Sequence, residues 1–299
     1  MEQYFRDKET RIFKDILPND SLLNVIFINE LFEKIVYKNF AVNYSTIANM
    51  GFKKCRFTQI NFSHCTFINC FFGRAHFEDV NFVECKFIDC NFGSATIVAC
   101  DFRYARFQGC FILYRDMKKN LPSQPNLRWD LVRNIAIQCL NLGDTSEYRL
   151  YFFAEKDASE QHFWKMFIHD ESFYKNKYGL WESVSGLLRL ITSKISKFLW
   201  GYGESILSLL AVISGVIIIF TLLYLSLPGS FSRSGSNVSY VSLSFIQCGY
   251  YAISSFFNIT NDLIPLDNLI IGITLIENVI GLVLTGFLIA ALFRYINRR

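Results

Sequence analysis

Several residue types and patterns are scarce in this chain of 299 residues, and each gap excludes something. There are four histidines, and the nine cysteines include no C-x-x-C pair. No cluster has the ligand spacing of a zinc site, so no metal is expected. No glycine-rich phosphate loop and no paired nucleophile and base stand out, so neither an enzyme nor a cofactor is expected. Neither sign of charge is in large excess: 30 Lys and Arg face 26 Asp and Glu, a net charge of +4, too little to imply a nucleic-acid partner. The first residues, Met1 to Lys8, are charged and carry no apolar run, so no secretory signal is expected. Proline is rare at five, and Pro122, Pro125 and Pro228 fall where one kind of pattern gives way to another. What the chain has in excess is apolar residues: 52% by composition with a mean hydropathy of +0.24, much of it in the last third.

The clearest pattern has a period of five. Phenylalanine recurs at 52, 57, 62, 67, 72, 77, 82, 87 and 92, and Ile97, Phe102, Phe107 and Ile112 carry the phase onward. Two positions before each centre stands a small or medium apolar residue, and seven of the nine cysteines (55, 65, 70, 85, 90, 100 and 110) occupy that slot. Between centre and slot lie polar residues such as Asn61, Asn81, Asn91 and Asp101. Neither a helix nor a strand has this repeat.

Over residues 44–115 the pattern resembles the pentapeptide-repeat family, whose units fold into a right-handed quadrilateral β-helix. The resemblance implies four units per coil, with the phenylalanine and the small residue pointing inward and coils stacked ~4.8 Å apart. Stability is then shared between neighbouring coils. Cys70, Cys90 and Cys110 would form one column and Cys65 and Cys85 another, each acting as a small buried hydrophobe. The thiols would be reduced, in keeping with a cytoplasmic module. Some members of the family resemble duplex DNA and bind topoisomerases, which requires an acidic surface. Residues 44–115 carry eight basic and five acidic side chains, which argues against that use.

The repeat is flanked by helical patterns. Residues 1–43 are expected to form a helical cap, with Asn19-Asp20-Ser21 as N-cap signal and Leu23, Ile26, Phe27, Leu31, Phe32, Ile35 and Val36 at helical spacing. Residues 116–203 read as a connector. One helix runs from about Asn126 to Leu142 and ends on Gly143; Asp144-Thr145-Ser146-Glu147 opens a second reaching Ile168. The pair resembles a helical hairpin of tetratricopeptide type. His162, His169, Asp170 and Glu171 are expected on solvated helix faces. Leu180 to Trp200 mixes Leu187, Leu188, Ile191, Ile195 and Phe198 with Arg189, Lys194 and Lys197, the pattern of an interfacial helix on the cytoplasmic leaflet. The alternative is a helix packed on the connector.

Residues 204–299 are expected to form a pore domain. Ile206 to Leu227 holds no charge and is long enough to cross a ~30 Å hydrocarbon core. Pro228-Gly229 ends it, and Leu269 to Phe293 is a second span interrupted only by Glu277. Arg189, Lys194 and Lys197 before the first span and Arg294, Arg298 and Arg299 after the second put both chain ends in the cytoplasm, at the cell (inner) membrane. The uncharged segment between, about 241–256, then cannot cross and reads as a re-entrant pore helix.

This layout resembles the potassium-channel pore domain. Asp262-Leu263-Ile264-Pro265 matches the family's Asp-x-x-Pro, and Glu277-x-x-x-Gly281 an acidic residue and hinge glycine on the inner helix. The resemblance implies a homotetramer in the lipid bilayer that passes monovalent cations. The filter then falls on Phe257, Asn258, Ile259, Thr260 and Asn261, where both family glycines are missing. Without them the carbonyls cannot all be aimed inward, so weak or altered selectivity is expected, with side-chain rings replacing carbonyl cages. Asp262 either contributes such a ring or braces the turn. Glu277 is expected to bond behind the pore helix, to Ser254 or Ser255. Gly281 and Gly286 serve bending or close approach of helices. The whole chain therefore reads as a multidomain membrane protein: β-helix, α-helical connector, two-span pore. A non-conducting membrane-anchored scaffold and a membrane-permeabilising effector are the alternatives.

Overall fold

The computed structural model describes residues 9–227, 231–233, 239–240 and 243–296. Met1 to Lys8, Pro228-Gly229, most of the loop after them, the start of the 241–256 segment, Arg298 and Arg299 lie outside the described residues. The chain divides into two compact units, Met1–Leu188 and Arg189–Arg299.

The first unit is built on a β-solenoid. Short parallel strands register on strands twenty residues further along, as Phe67 on Phe87, from Val25–Ile28 up to Arg106–Gln108. Every fifth residue from Asn19 to Gly109 turns a corner with φ between 51 and 71°. That left-handed region costs most residues roughly 1–2 kcal/mol and asparagine or glycine less, and asparagine takes many of the corners. The expected columns form. Phenylalanine rings of adjacent coils stack face to face, Phe67 on Phe87 at 5.0 Å and Phe87 on Phe107 at 4.8 Å, while successive rings such as Phe62 and Phe67 meet edge-on. The inward cysteines are all buried and free. Five of these thiols find an acceptor in the preceding coil, as Cys65 donates to the Val42 carbonyl at 2.9 Å and Cys85 to that of Phe62 at 2.8 Å, while Cys55 and Cys100 donate to the Lys53 and Val98 carbonyls of their own coil.

The N-terminal helical cap is corrected. Ser21–Leu23, Val25–Ile28, Leu31–Glu33 and Val36–Lys38 are strands of the same solenoid, which therefore begins well before residue 44. The buried centres Phe27, Phe32 and Tyr37, followed by Val42 and Ile47 of the next two strands, keep the phase of five. Leu23, Ile26, Leu31, Ile35 and Val36, standing beside those centres, add the three- and four-residue spacings of a helical stripe, and coil-to-coil stacking decides against the helix. Phe13 plugs this end, its ring 5.0 Å from Phe27 and 5.1 Å from Phe52, and its N–H donates to Glu30 Oε1. Amides close the other end. Asn120 bonds both the Cys100 N–H and the Ile97 carbonyl, and Asn134 and Gln138 accept from Phe107 and Gly109.

A helical turn α1 (Tyr114–Met117) leads to α2 (Pro125–Asn141) and α3 (Thr145–Ile168), the expected hairpin. Gly143 turns between them at φ 76°. Asp144 caps α3 through the Glu147 N–H, but Glu147 does not close a capping box; its carboxylate takes the Tyr114 N–H at 2.6 Å and ties the hairpin to the solenoid's end. A short helix α4 (Ser172–Lys177) follows. The solvated placement of His162 is corrected: it is buried against Trp129 and bonded to the Tyr174 hydroxyl at 3.1 Å. Burial first, then Lys177, lowers its pKa. In α5 (Leu180–Trp200), Gly186 and Ser183 lie against Met166, while Leu180, Val184, Leu188, Ile191, Ile195 and Phe198 form one exposed stripe.

The second unit holds α6 (Ile206–Ser226), α7 (Phe245–Phe256) and α8 (Asn268–Ile296). α6 and α8 are long and apolar enough to cross a membrane, and only 22% and 17% of their most apolar windows are buried. A core helix of a water-soluble domain would be mostly covered. Phe231–Arg233 pairs antiparallel with both Ser239–Tyr240 and Leu263–Pro265, a small sheet that the polar loop composition concealed.

Candidate functional site

The candidate site is the turn between α7 and α8. α7 starts with a capping box: Ser244 accepts from the Gln247 N–H, and the Gln247 side chain returns to Ser244. Its far end is a Schellman motif. Asn258 stands at φ 53°, its N–H bonds the Ser255 carbonyl at 3.0 Å, and the Ile259 N–H bonds that of Ser254 at 2.8 Å. Among the described residues of this unit after Tyr202 and Gly203, Asn258 alone takes left-handed backbone. The turn is thus a helix stop displaying side chains, with no run of alternating left-handed residues to aim carbonyls.

Phe257, Asn258, Ile259, Thr260 and Asp262 are exposed, and Asn261 is half-buried. Asn261 Oδ1 accepts from the Leu263 N–H at 3.0 Å, which braces the turn, and its Nδ2 is buried without a hydrogen-bond partner. Pro265 closes the strand register opposite Phe231. A cavity of about 320 Å³ lies beneath, lined by Tyr251, Ser255, Asn258 to Asn261, Leu263 to Pro265 and Asn278. Among the described residues, no group of His, Cys, Asp or Glu could hold a metal.

Behind the turn, α8 supports α7 through two contacts. Gly281 lies under the last turn of α7, where an added Cβ would stand 2.0 Å from the Phe256 carbonyl oxygen. Asn278, oriented to satisfy its amide, donates to the Ser255 carbonyl at 2.7 Å. Glu277 is fully buried, and its partner differs from the expected Ser254 or Ser255. The Tyr224 hydroxyl of α6 donates to Glu277 Oε2 at 2.7 Å, and Tyr224 and Tyr251 both meet the Thr274 hydroxyl, at 3.2 and 3.0 Å. Ser254 instead bonds within α7, to the Tyr250 carbonyl. Tyr224, Tyr251 and Thr274 were the partners that sequence reading missed; the one signal for them is that buried tyrosines seek a bond for their hydroxyls. At the other end, Gly201, Tyr202 and Gly203 are all left-handed, Trp200 packs on Phe287 at 4.8 Å, and Arg294 comes within 4.0 Å of Glu204.

Comparison with known proteins bears on the solenoid. A family model of pentapeptide repeats, nine copies, matches residues 52–96. Among solved structures, two trypsin-treated forms of QnrB1, a plasmid-mediated fluoroquinolone resistance protein, are similar. One is 15% identical, covers 32% of this chain and 68% of that chain, and has a TM-score of 0.19. The other is 16% identical, covers 32% and 67%, and has a TM-score of 0.16. The pentapeptide repeat protein Rfr23 from the cyanobacterium Cyanothece 51142 is 11% identical and covers 31% and 81%, with a TM-score of 0.15. No curated protein matches the chain. The chain thus carries a β-solenoid of pentapeptide repeats, followed by an α-helical region with two long apolar helices.

Proposed function

We propose that this protein is a subunit of an ion-conducting membrane assembly, in which α6 and α8 cross the bilayer, α7 re-enters it, and the turn Phe257 to Asp262 lines a cation path. The observation that carries this reading is the short capped helix α7 held between two long apolar helices, ending in an exposed polar turn. Backbone that leaves a helix at membrane depth needs protein or water around it, and a shared aqueous path between copies supplies that. A homotetramer in the inner membrane is the assembly the reading takes. Arg189, Lys194, Lys197 and Arg294 favour a cytoplasmic side for both ends of the unit. One left-handed residue cannot build carbonyl cages, so weak cation preference set by Asp262 is the expected selectivity.

The second reading is a membrane-anchored scaffold that does not conduct. It is favoured by the long solenoid and by a turn that presents side chains where a filter needs carbonyls. Purified protein in planar bilayers separates the two. Conduction predicts unitary currents with cation over chloride preference, reduced in Asp262→Asn. Silence of an intact, reconstituted assembly in potassium, sodium and chloride salts leaves the scaffold. Currents whose preference ignores Asp262→Asn remove the carboxylate from the path.

A further inference from the structure

One face of the solenoid is unlike the others. It is formed by Leu31–Glu33 and Gly51–Lys53 and continued by the bridges of Gly51 to Phe71, Phe71 to Asn91 and Asn91 to Phe111. This column turns outward, leaving Leu31 85%, Phe71 44% and Phe111 36% exposed. Gly73 keeps the surface flat beside it: an added Cβ there would strike the Phe71 ring at 2.2 Å.

Along the edge of this face, the corner positions of three successive coils are Lys34, Lys54 and Arg74, all exposed. They follow one another at the strand spacing of ~4.8 Å. Lys53 adds a fourth cation beside them. The acid on this face, Glu33, reaches Lys53 and Lys54 at 3.5 and 3.8 Å. Some other corners are paired with one another. Asn69, Asn49 and Asn29 form an amide ladder with bonds of 2.9 and 3.1 Å, and His64 meets Glu84 at 3.1 Å. The solenoid gains nothing from a cation row. Like charges on adjacent strands repel, and lysine or arginine is strained at φ near 60°, where asparagine fits.

We propose that this face docks an acidic amphipathic helix of a partner protein. Carboxylates at i and i+4 on such a helix lie ~5–6 Å apart, close to the spacing of the Lys34, Lys54, Arg74 row. The apolar stripe beside them meets Leu31 and Phe71. A bilayer presents a plane and a nucleic acid a lattice of phosphates; here a single file of three cations adjoins an apolar ridge, which matches one helix edge. The proposal stands whether or not the second unit conducts.

The test uses the full chain in detergent and a fluorescent synthetic helix with glutamate at every fourth position flanked by leucine. Fluorescence anisotropy at low salt should show binding that weakens as salt screens it. Lys54→Glu with Arg74→Glu should weaken it by roughly tenfold or more, and Phe71→Ser should weaken it as well. Arg56→Glu, on a different face, should leave it within about twofold. A triple variant, Lys34→Asn, Lys54→Asn and Arg74→Asn, should lose binding while melting at or above the parent's temperature, which excludes misfolding as the cause. Equal binding of a scrambled peptide, equal loss in Arg56→Glu, or tighter binding of anionic vesicles or a thymidine oligonucleotide through the same residues overturns the proposal.

Discussion

At Gly281 the absence of a side chain is a contact requirement. The Phe256 carbonyl occupies the space a Cβ would need, with 2.0 Å between them. Gly281→Ala must push α8 away from the end of α7, and overpacking of this kind costs about 1–3 kcal/mol. Chemical denaturation in detergent should show that loss, while Gly272→Ala, with nothing within 4 Å of its added Cβ, should stay within about 0.5 kcal/mol of the parent. The residue was recognisable in the sequence as a special glycine four positions after a buried acid. Its task was not, because no local pattern records which backbone comes close. Glu277 gives the same lesson: its partner Tyr224 lies on another helix.

The buried thiols Cys100 of the solenoid and Cys139 of α2 make a second prediction at this scale. Burial pushes Cys100 from its ordinary 9.0 up to about 11, and burial, with Asp144 and Glu147 nearby, pushes Cys139 up to about 12. The folded state therefore holds these protons more tightly than the unfolded chain does. The resulting stability is complete below pH 9 and is lost as pH rises through about 11 and 12. Melting temperature should fall across that alkaline window, with thiolate absorbance appearing together with unfolding. At pH 8 a thiol reagent should label these cysteines only after denaturant is added. Ready labelling of Cys100 in the native protein would show that its inward column is open to water, and of Cys139 that the face of α2 against the solenoid is.

At the scale of elements, the α7 stop depends on one backbone conformation. Asn258 takes φ 53°, a position where glycine is the usual occupant of a Schellman motif. Asn258→Gly should hold or raise stability slightly, whereas Asn258→Val should lose about 1–2 kcal/mol. Hydrogen exchange at the Ile259 amide, bonded to Ser254, reads the stop directly. The contrast with residues 21–43 shows what makes an element legible. In residues 52–112 phenylalanine and cysteine repeat with little variation, and no other structure accounts for them. In the first coils Leu22, Phe27, Phe32, Tyr37 and Val42 hold the same phase with changing residues. A strand of three residues leaves no periodicity of its own, so the helical stripe was the stronger local signal. The stacking that overrides it joins residues twenty apart.

At the scale of the whole molecule, the two units differ in what covers their apolar residues. The solenoid and hairpin share one continuous core, running from Phe13 through the stacked phenylalanines to Tyr151. The second unit has two small clusters, one around Tyr224 and Tyr251 and one around Leu209 and Leu284, and leaves most of α6 and α8 uncovered. A solenoid is stabilised coil by coil, so it needs no distant segment to fold. Residues 1–188 expressed alone should therefore be soluble without detergent and give a circular dichroism spectrum of mixed helix and strand. They should melt in one cooperative step at the temperature of the full chain's solenoid transition. Residues 189–299 should stay in solution only with detergent or lipid, because the exposed faces of α6 and α8 have no apolar cover of their own. A first fragment that unfolds when separated would mean that its core borrows stability from the second unit. A second fragment that is soluble and monomeric in plain buffer would remove the physical basis for placing α6 and α8 in a membrane.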